Sequence, residues 1–246
     1  GEVDLATGAL TMFPVDGGKA AFGGFAYAPD GKSVYFVSDE PVNGTIQEFQ
    51  TLRHHDPATG KLTVLSAKIP WDVEGFSLSE DGKHLAYSTN EDGISRLRIL
   101  SLPSHREIAL PALPIGVFGS GAFSPDGTRL ALTLNSATSP SDVFVIDLAK
   151  ASLTRWTQSE VGGLDASTFI APTLIRYPTF DTVDGKRRTI PAFYYRPANV
   201  PAGRKLPVVI NIHGGPEAQS QPTFNPTAQF MANEMGVAML VPNVRG

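Results

Sequence analysis

The residues best placed to do chemistry lie in Leu206-Pro-Val-Val-Ile-Asn-Ile-His-Gly-Gly-Pro216. Val208 to Ile212 is an apolar run rich in β-branched residues, and it breaks at once into His213-Gly214-Gly215-Pro216. A run of that kind reads as a strand buried on both faces, as in a parallel sheet. Paired glycines directly after it let the backbone turn sharply and bring bare N–H groups close to a ligand. The competing reading is structural, since any strand-to-helix turn in an α/β domain can carry Gly-Gly.

The elements that must position this turn surround it. Asn225 has the side chain of an N-cap, Pro226 suits the first helical position and Gly236 suits the residue past the end. Ala228, Met231, Ala232 and Met235 make one apolar stripe at helical spacing. Val237 to Val241 then reads as a second buried strand, so strand, glycine turn, helix and strand form a βαβ crossover. Upstream, Thr173 to Asp181 and Arg188 to Arg196 flank Asp184-Gly185 as a hairpin, and Pro197 to Lys205 is a loop. Residues 158–172, with Gly162-Gly163 and small polar side chains, read as a linker that accommodates a short helix.

Residues 1–157 repeat. Phe25 to Ser38, Phe76 to Thr89 and Phe123 to Leu134 each combine a short strand, an Asp-Gly turn and an alternating apolar strand. Their turn aspartates, Asp30, Asp81 and Asp126, are spaced by 51 and 45 residues. A second hairpin motif, marked by Asp4, Asp56, Ser101 and Asp147, alternates with the first in constant phase. Four strands per unit at this period is the pattern of propeller blades. About three blades are expected, with the closing strands of another at the start. A β-sandwich with chance hairpin similarity is the alternative. The repeat breaks off inside a unit and the parallel sheet stops after one crossover, so both ends are expected to be interior to a longer protein.

The formal net charge of −4 comes without any basic run, which favours neither nucleic acid nor an anionic membrane surface as partner. With no cysteine, disulfides and thiolate metal sites are excluded. No apolar run approaches the length of a membrane-spanning helix. No metal or other cofactor is implied.

A β-propeller followed by the start of an α/β-hydrolase domain resembles the prolyl oligopeptidase family of serine peptidases, in its acylaminoacyl peptidase and dipeptidyl aminopeptidase branch. The resemblance rests on Leu174-Ile-Arg-Tyr-Pro-Thr-Phe-Asp181, Ile190 to Pro197, Ile212-His-Gly-Gly-Pro216, Asn225-Pro226 and Pro242-Asn-Val-Arg-Gly246. It implies a complete protein that cleaves short peptides with a Ser-His-Asp triad, the propeller restricting access. It also implies that Gly215, with Gly214 giving room to turn, supplies an N–H of the oxyanion hole, His213 and Pro216 supporting the turn. Arg245 is a candidate for substrate contact or for an ion pair holding neighbouring loops. Its partners are then a short peptide substrate and the remaining part of its own chain. The departure from the family pattern is the triad itself. No serine here has glycine at both −2 and +2, and the nearest approach, Gly119-Ser120-Gly121, lies in the repeats. The segment alone is therefore expected to be inactive. Two other functions compete: a non-enzymatic propeller that binds protein partners, and an esterase of the same fold.

Other chemistry-bearing residues have simpler roles. His54 and His55 are neighbours on a strand, which points them to opposite faces and suits solvation better than a shared metal. Glu74, Glu80 and Asp81 could be paired carboxylates, but Glu80-Asp81-Gly82 reads as a turn in which Asp bonds its own backbone. Asn43-Gly44-Thr45 is a formal glycosylation sequon on a loop.

Overall fold

The computed structural model describes residues 2–11, 20–201, 203–215 and 217–244. β1 (Glu2–Val3) and β2 (Leu10–Thr11) pair antiparallel around a turn in which Asp4 accepts from the N–H groups of Ala6 and Thr7. Then come three antiparallel meanders. The first runs β3 (Phe22–Tyr27), β4 (Val34–Ser38), β5 (Thr51–Asp56) and β6 (Lys61–Val64). The second runs β7 (Val73–Leu78), β8 (His84–Glu91), β9 (Ile94–Ser101) and β10 (Arg106–Glu107). In the third, β11 (Gly116–Val117) and β12 (Ala122–Phe123) share one side of β13 (Arg129–Ser136), followed by β14 (Ser139–Asp147) and β15 (Ser152–Arg155).

The three Asp-Gly motifs are the same turn at the same place in each meander. Gly31, Gly82 and Gly127 donate to the carbonyls of Ala28, Ser79 and Ser124. Each glycine has a positive φ, 65°, 70° and 68°, which a side chain would disfavour. Asp30, Asp81 and Asp126 accept from the N–H two residues on, closing the loop as Asx turns. The glycines have a second use. A Cβ on Gly82 would lie 2.5 Å from the Pro29 ring, and one on Gly127 would lie 2.6 Å from the Asp81 carboxylate. Successive turns therefore rest on each other, so the meanders stack in register.

Burial alternates to suit that stacking. Leu85 and Tyr87 of β8 pack with Tyr35, Val37 and Leu52 of the first meander. Ala86, between them, faces Leu130, Leu132, Phe144 and Ile146 of the third. The second meander is thus covered on both sides. Full burial of a side chain such as Leu52, Leu85 or Leu130 contributes about 1.5–3 kcal/mol.

The chain then leaves the meanders without strand structure until β16. This stretch holds a turn at Gly162-Gly163 and a short 3-10 turn, Ala166–Thr168, capped by the Asp165 side chain. Its start is held by the buried Asp142 carboxylate, which accepts from the Thr157 hydroxyl, the Ser159 N–H and Arg155. Burial alone would raise the Asp142 pKa, but these donors outweigh it and hold the carboxyl below its usual value.

The last sheet joins β16 (Thr173–Val183), β17 (Lys186–Tyr195), β18 (Val208–Ile210) and β19 (Ala238–Pro242) in the order β16-β17-β19-β18. Asp184 and Gly185, both with positive φ, make the tight turn of the first hairpin. β17 and β19 are antiparallel, whereas β18 and β19 are parallel. Between the parallel pair runs α1 (Pro226–Asn233), with the Asn225 side chain accepting from the Ala228 N–H.

Two expectations are corrected here. The Val208–Ile212 run is not buried: β18 is an edge strand, and Val208, Val209 and Ile210 are 48%, 39% and 59% exposed. Its residue types want cover, but among the described strands β19 alone pairs with it, and its side chains stay exposed. The α1 stripe also differs, since Met235 lies beyond the helix and is exposed, while Gln229 is buried. Gln229 is buried because its amide is fully used: Nε2 donates to the Ala137 and Ile170 carbonyls, while Oε1 accepts from the Ile170 N–H.

Candidate functional site

The glycine turn sits at the carboxyl end of β18. Asn211 extends the pairing one step by donating to the Leu240 carbonyl at 2.9 Å. The chain then departs, and the His213 ring lies between two carbonyls, Nε2 3.2 Å from that of Val244 and Nδ1 3.2 Å from that of Gly214. Whichever nitrogen carries the proton, the ring ties the turn to itself or to the segment after β19.

The two glycines differ. Gly215 has φ +143°, and a Cβ there would meet the Glu217 backbone at 2.9–3.1 Å. Gly214 has no such constraint, and a Cβ on it would meet nothing within 4 Å. The conformational demand for glycine therefore falls on Gly215. Both are exposed, and among the described residues neither N–H donates a hydrogen bond. Backbone N–H groups left free at a fixed turn are what an oxyanion-binding site requires. Pro216 and Arg245 lie outside the described residues.

Behind the turn, Ser220 and Asn243 form a reciprocal pair. The Ser220 N–H donates to Asn243 Oδ1 at 2.6 Å, and Asn243 Nδ2 donates to the Ser220 carbonyl at 3.1 Å. Asn243 N–H also donates to the Pro191 carbonyl of β17. The loop from the glycines to α1 is thus fastened to the end of β19. Asn243 stands out in the sequence only within Pro242-Asn-Val-Arg-Gly246 and Gln229 not at all, and neither role was legible, because a polar residue's distant partners leave no local pattern.

The remaining candidates are dispersed. Ser120 lies in the break between β11 and β12, its carbonyl accepting from Ser77 Oγ. Asp81 serves its turn, its pKa lowered to about 2 by the Ser79 hydroxyl and the Lys83 N–H, and Glu80 is beside it in the turn. Glu74 lies on β7, its carboxyl raised by partial burial against a hydrogen bond from Asn90. Asn43-Gly44 forms a two-residue turn closed by the Val42–Thr45 bridge. Among the described residues no group of three His, Asp or Glu could hold a metal ion.

His54 departs from the solvated placement expected of it. Its ring stacks on Tyr35 at 4.6 Å between centroids, and lies 5.2 Å from His105, which bonds the Tyr35 hydroxyl. The pair closes the seam between the first two meanders. Burial holds both imidazoles below their ordinary pKa; Asp30 and Asp56 oppose this at His54, while His55 and Lys61 reinforce it. A histidine with a depressed folded pKa contributes stability above its unfolded value, about 6.5, that is lost as pH falls through the lowered one. The melting temperature is therefore expected to fall more steeply from about pH 7 to about pH 5 in the natural chain than in His54→Phe. Parallel pH profiles would contradict this.

No protein-family model matches the chain, and no curated protein matches it. Solved structures do. A puromycin-hydrolyzing peptidase from Mycobacterium tuberculosis is similar with a TM-score of 0.70 at 19% identity, over 93% of this chain and 35% of that one. Prolyl oligopeptidase B from Galerina marginata is similar with a TM-score of 0.72 at 16% identity, over 93% of this chain and 31% of that one. The acylaminoacyl peptidase of Pyrococcus horikoshii has a TM-score of 0.57 at 21% identity, over 88% of this chain and 31% of that one. At these identities the likeness is one of fold. The chain spans about a third of the length of the solved structures it matches.

Proposed function

We propose that this chain is a segment of a serine peptidase of the prolyl oligopeptidase family, in its acylaminoacyl and dipeptidyl aminopeptidase branch. Residues 1–157 are then part of a β-propeller whose blades are the meanders, 158–172 the linker, and 173–246 the first strands of an α/β-hydrolase domain. The complete protein cleaves short peptides by Ser-His-Asp acyl transfer, with Gly215 donating to the oxyanion. No cofactor takes part.

The observation that carries this reading is a glycine turn at the carboxyl end of a parallel strand whose two N–H groups find no acceptor among the described residues. Ligands bind in open α/β sheets at that end. A propeller that only binds partners has no use for such a turn. The peptidases matched by the fold support the same reading, and the exposed apolar side chains of the edge strand β18 suit a sheet with a further neighbour.

A fluorophosphonate probe for activated serines tests it. The complete protein is expected to label with one equivalent, and the 246-residue chain not at all. Nucleophile and base act as a unit, and without them only residual acceleration from binding and the oxyanion donor remains. Stoichiometric labelling of the 246-residue chain would mean that its nucleophile lies among these residues. A complete protein that never labels would remove the peptidase reading.

A further inference from the structure

The turn between β8 and β9 is plugged into the last sheet next to the loop that follows the glycines. Asn90 Oδ1 accepts from the Gly93 N–H at 2.9 Å, closing the turn, while its Nδ2 donates to Gln219 Oε1 at 2.7 Å. Asp92 pairs with Arg176 of β16. Gly93, at φ +85°, comes so near that a Cβ would lie 3.0 Å from the Ser220 carbonyl and 3.4 Å from the Phe193 ring. Ile94 continues the contact in an apolar cluster with Phe193, Tyr195, Ala228 and Met239. Asn90, Asp92 and Gly93 thus reach the last sheet and its loop in three ways, by a hydrogen bond, by charge and by a backbone approach open only to glycine.

From this turn a short chain of contacts leads to the glycines. Ser220 is locked to Asn243 in both directions, and the next carbonyl, that of Val244, lies 3.2 Å from His213 Nε2. We propose that the Asn90–Gly93 turn of the second meander is a positioning device for the Gly214-Gly215 turn, acting through Gln219, Ser220 and Asn243. This rests on the reading of Gly215 as an oxyanion donor. An N–H donor helps only where it is held at the place charge develops, and a misplacement of about 1 Å can cost about a hundredfold in rate. The meanders would then do more than restrict access, because their contact sets the donor's place.

The test uses the complete protein and leaves the turn itself intact. The double variant Arg176→Ala with Gln219→Leu removes both polar contacts from the far side. Its expected effects are about tenfold faster amide exchange at Ser220 and a fall in kcat of about ten- to a hundredfold, KM staying within about twofold. Arg176→Lys with Gln219→Glu keeps a cation and an acceptor oxygen, and is expected to recover most of kcat. Unchanged exchange at Ser220 overturns the coupling. So does unchanged kcat in a protein whose Gly215→Val variant is impaired. If Gly215→Val itself turns over normally, it is the oxyanion reading that fails, and exchange at Ser220 still reports separately on the contact.

Discussion

Gly215→Val in the complete protein is expected to lower kcat by about 10²–10³, the cost of one oxyanion donor, with folding and serine-probe labelling retained. The structure gives two reasons for displacement of the donor. Valine does not adopt a φ of +143°, and its Cβ would fall within 2.9–3.1 Å of the Glu217 backbone. The turn must open to relieve both, and the N–H moves with it. An acyl-transfer transition state carries negative charge on the former carbonyl oxygen, so the lost bond is worth more there than in the ground state. The loss should therefore appear in kcat and in kcat/KM together, with little change in KM. Gly214→Ala is the paired control. Its Cβ meets nothing within 4 Å, so kcat should stay within about threefold of the natural enzyme. Equal losses in both variants, or normal turnover in Gly215→Val, would end the assignment of the donor to Gly215.

Where the determining physics is local, the residues announced the structure. Asp30-Gly31, Asp81-Gly82 and Asp126-Gly127 carry their turn chemistry within six residues, and all three turns form alike. Asn225-Pro226 opens α1, and Asp184-Gly185 makes its hairpin, for the same reason. Long-range placement was not legible. The Val208–Ile212 run states what those side chains would bury, but cover is a property of neighbours, and β18 has one. Gln229 looks like the polar side of a helix until Ala137 and Ile170 arrive to satisfy its amide. His54 looks like half of an alternating strand, and only the second meander, bringing His105, makes it part of a seam. The glycine turn itself was legible. His213 was marked as its support; what escaped was the rest, the bonds of Asn243 to Ser220 and the docked turn at Asn90–Gly93.

Arg53→Ala is expected to destabilise the first meander by about 3–5 kcal/mol, the cost of breaking one side of a buried ion pair. Arg53 sits on β5 with its side chain fully buried, 3.5 Å from the Glu40 carboxylate, which is itself only 8% exposed. Its Nε donates to the Thr51 hydroxyl and one Nη to the Glu40 carbonyl, but Nη1 is buried without a hydrogen bond. Burial lowers the Arg53 pKa, against the charges of Glu40 and Asp39, yet a guanidinium starts so high that it stays protonated. Truncation therefore takes the guanidinium away from a Glu40 carboxylate that is held out of water, and leaves a cavity as well. Replacing both residues should behave differently. An imperfectly bonded buried pair repays its desolvation poorly, and apolar substitutes of similar volume are often neutral or better. Arg53→Met with Glu40→Met is accordingly expected to recover most of what Arg53→Ala loses, the remainder reflecting the bonds to Thr51 and the Glu40 carbonyl. Denaturant unfolding of the three chains measures this. A double variant as unstable as Arg53→Ala would mean that the pair contributes net stability, and that its attraction exceeds the cost of removing both charges from water.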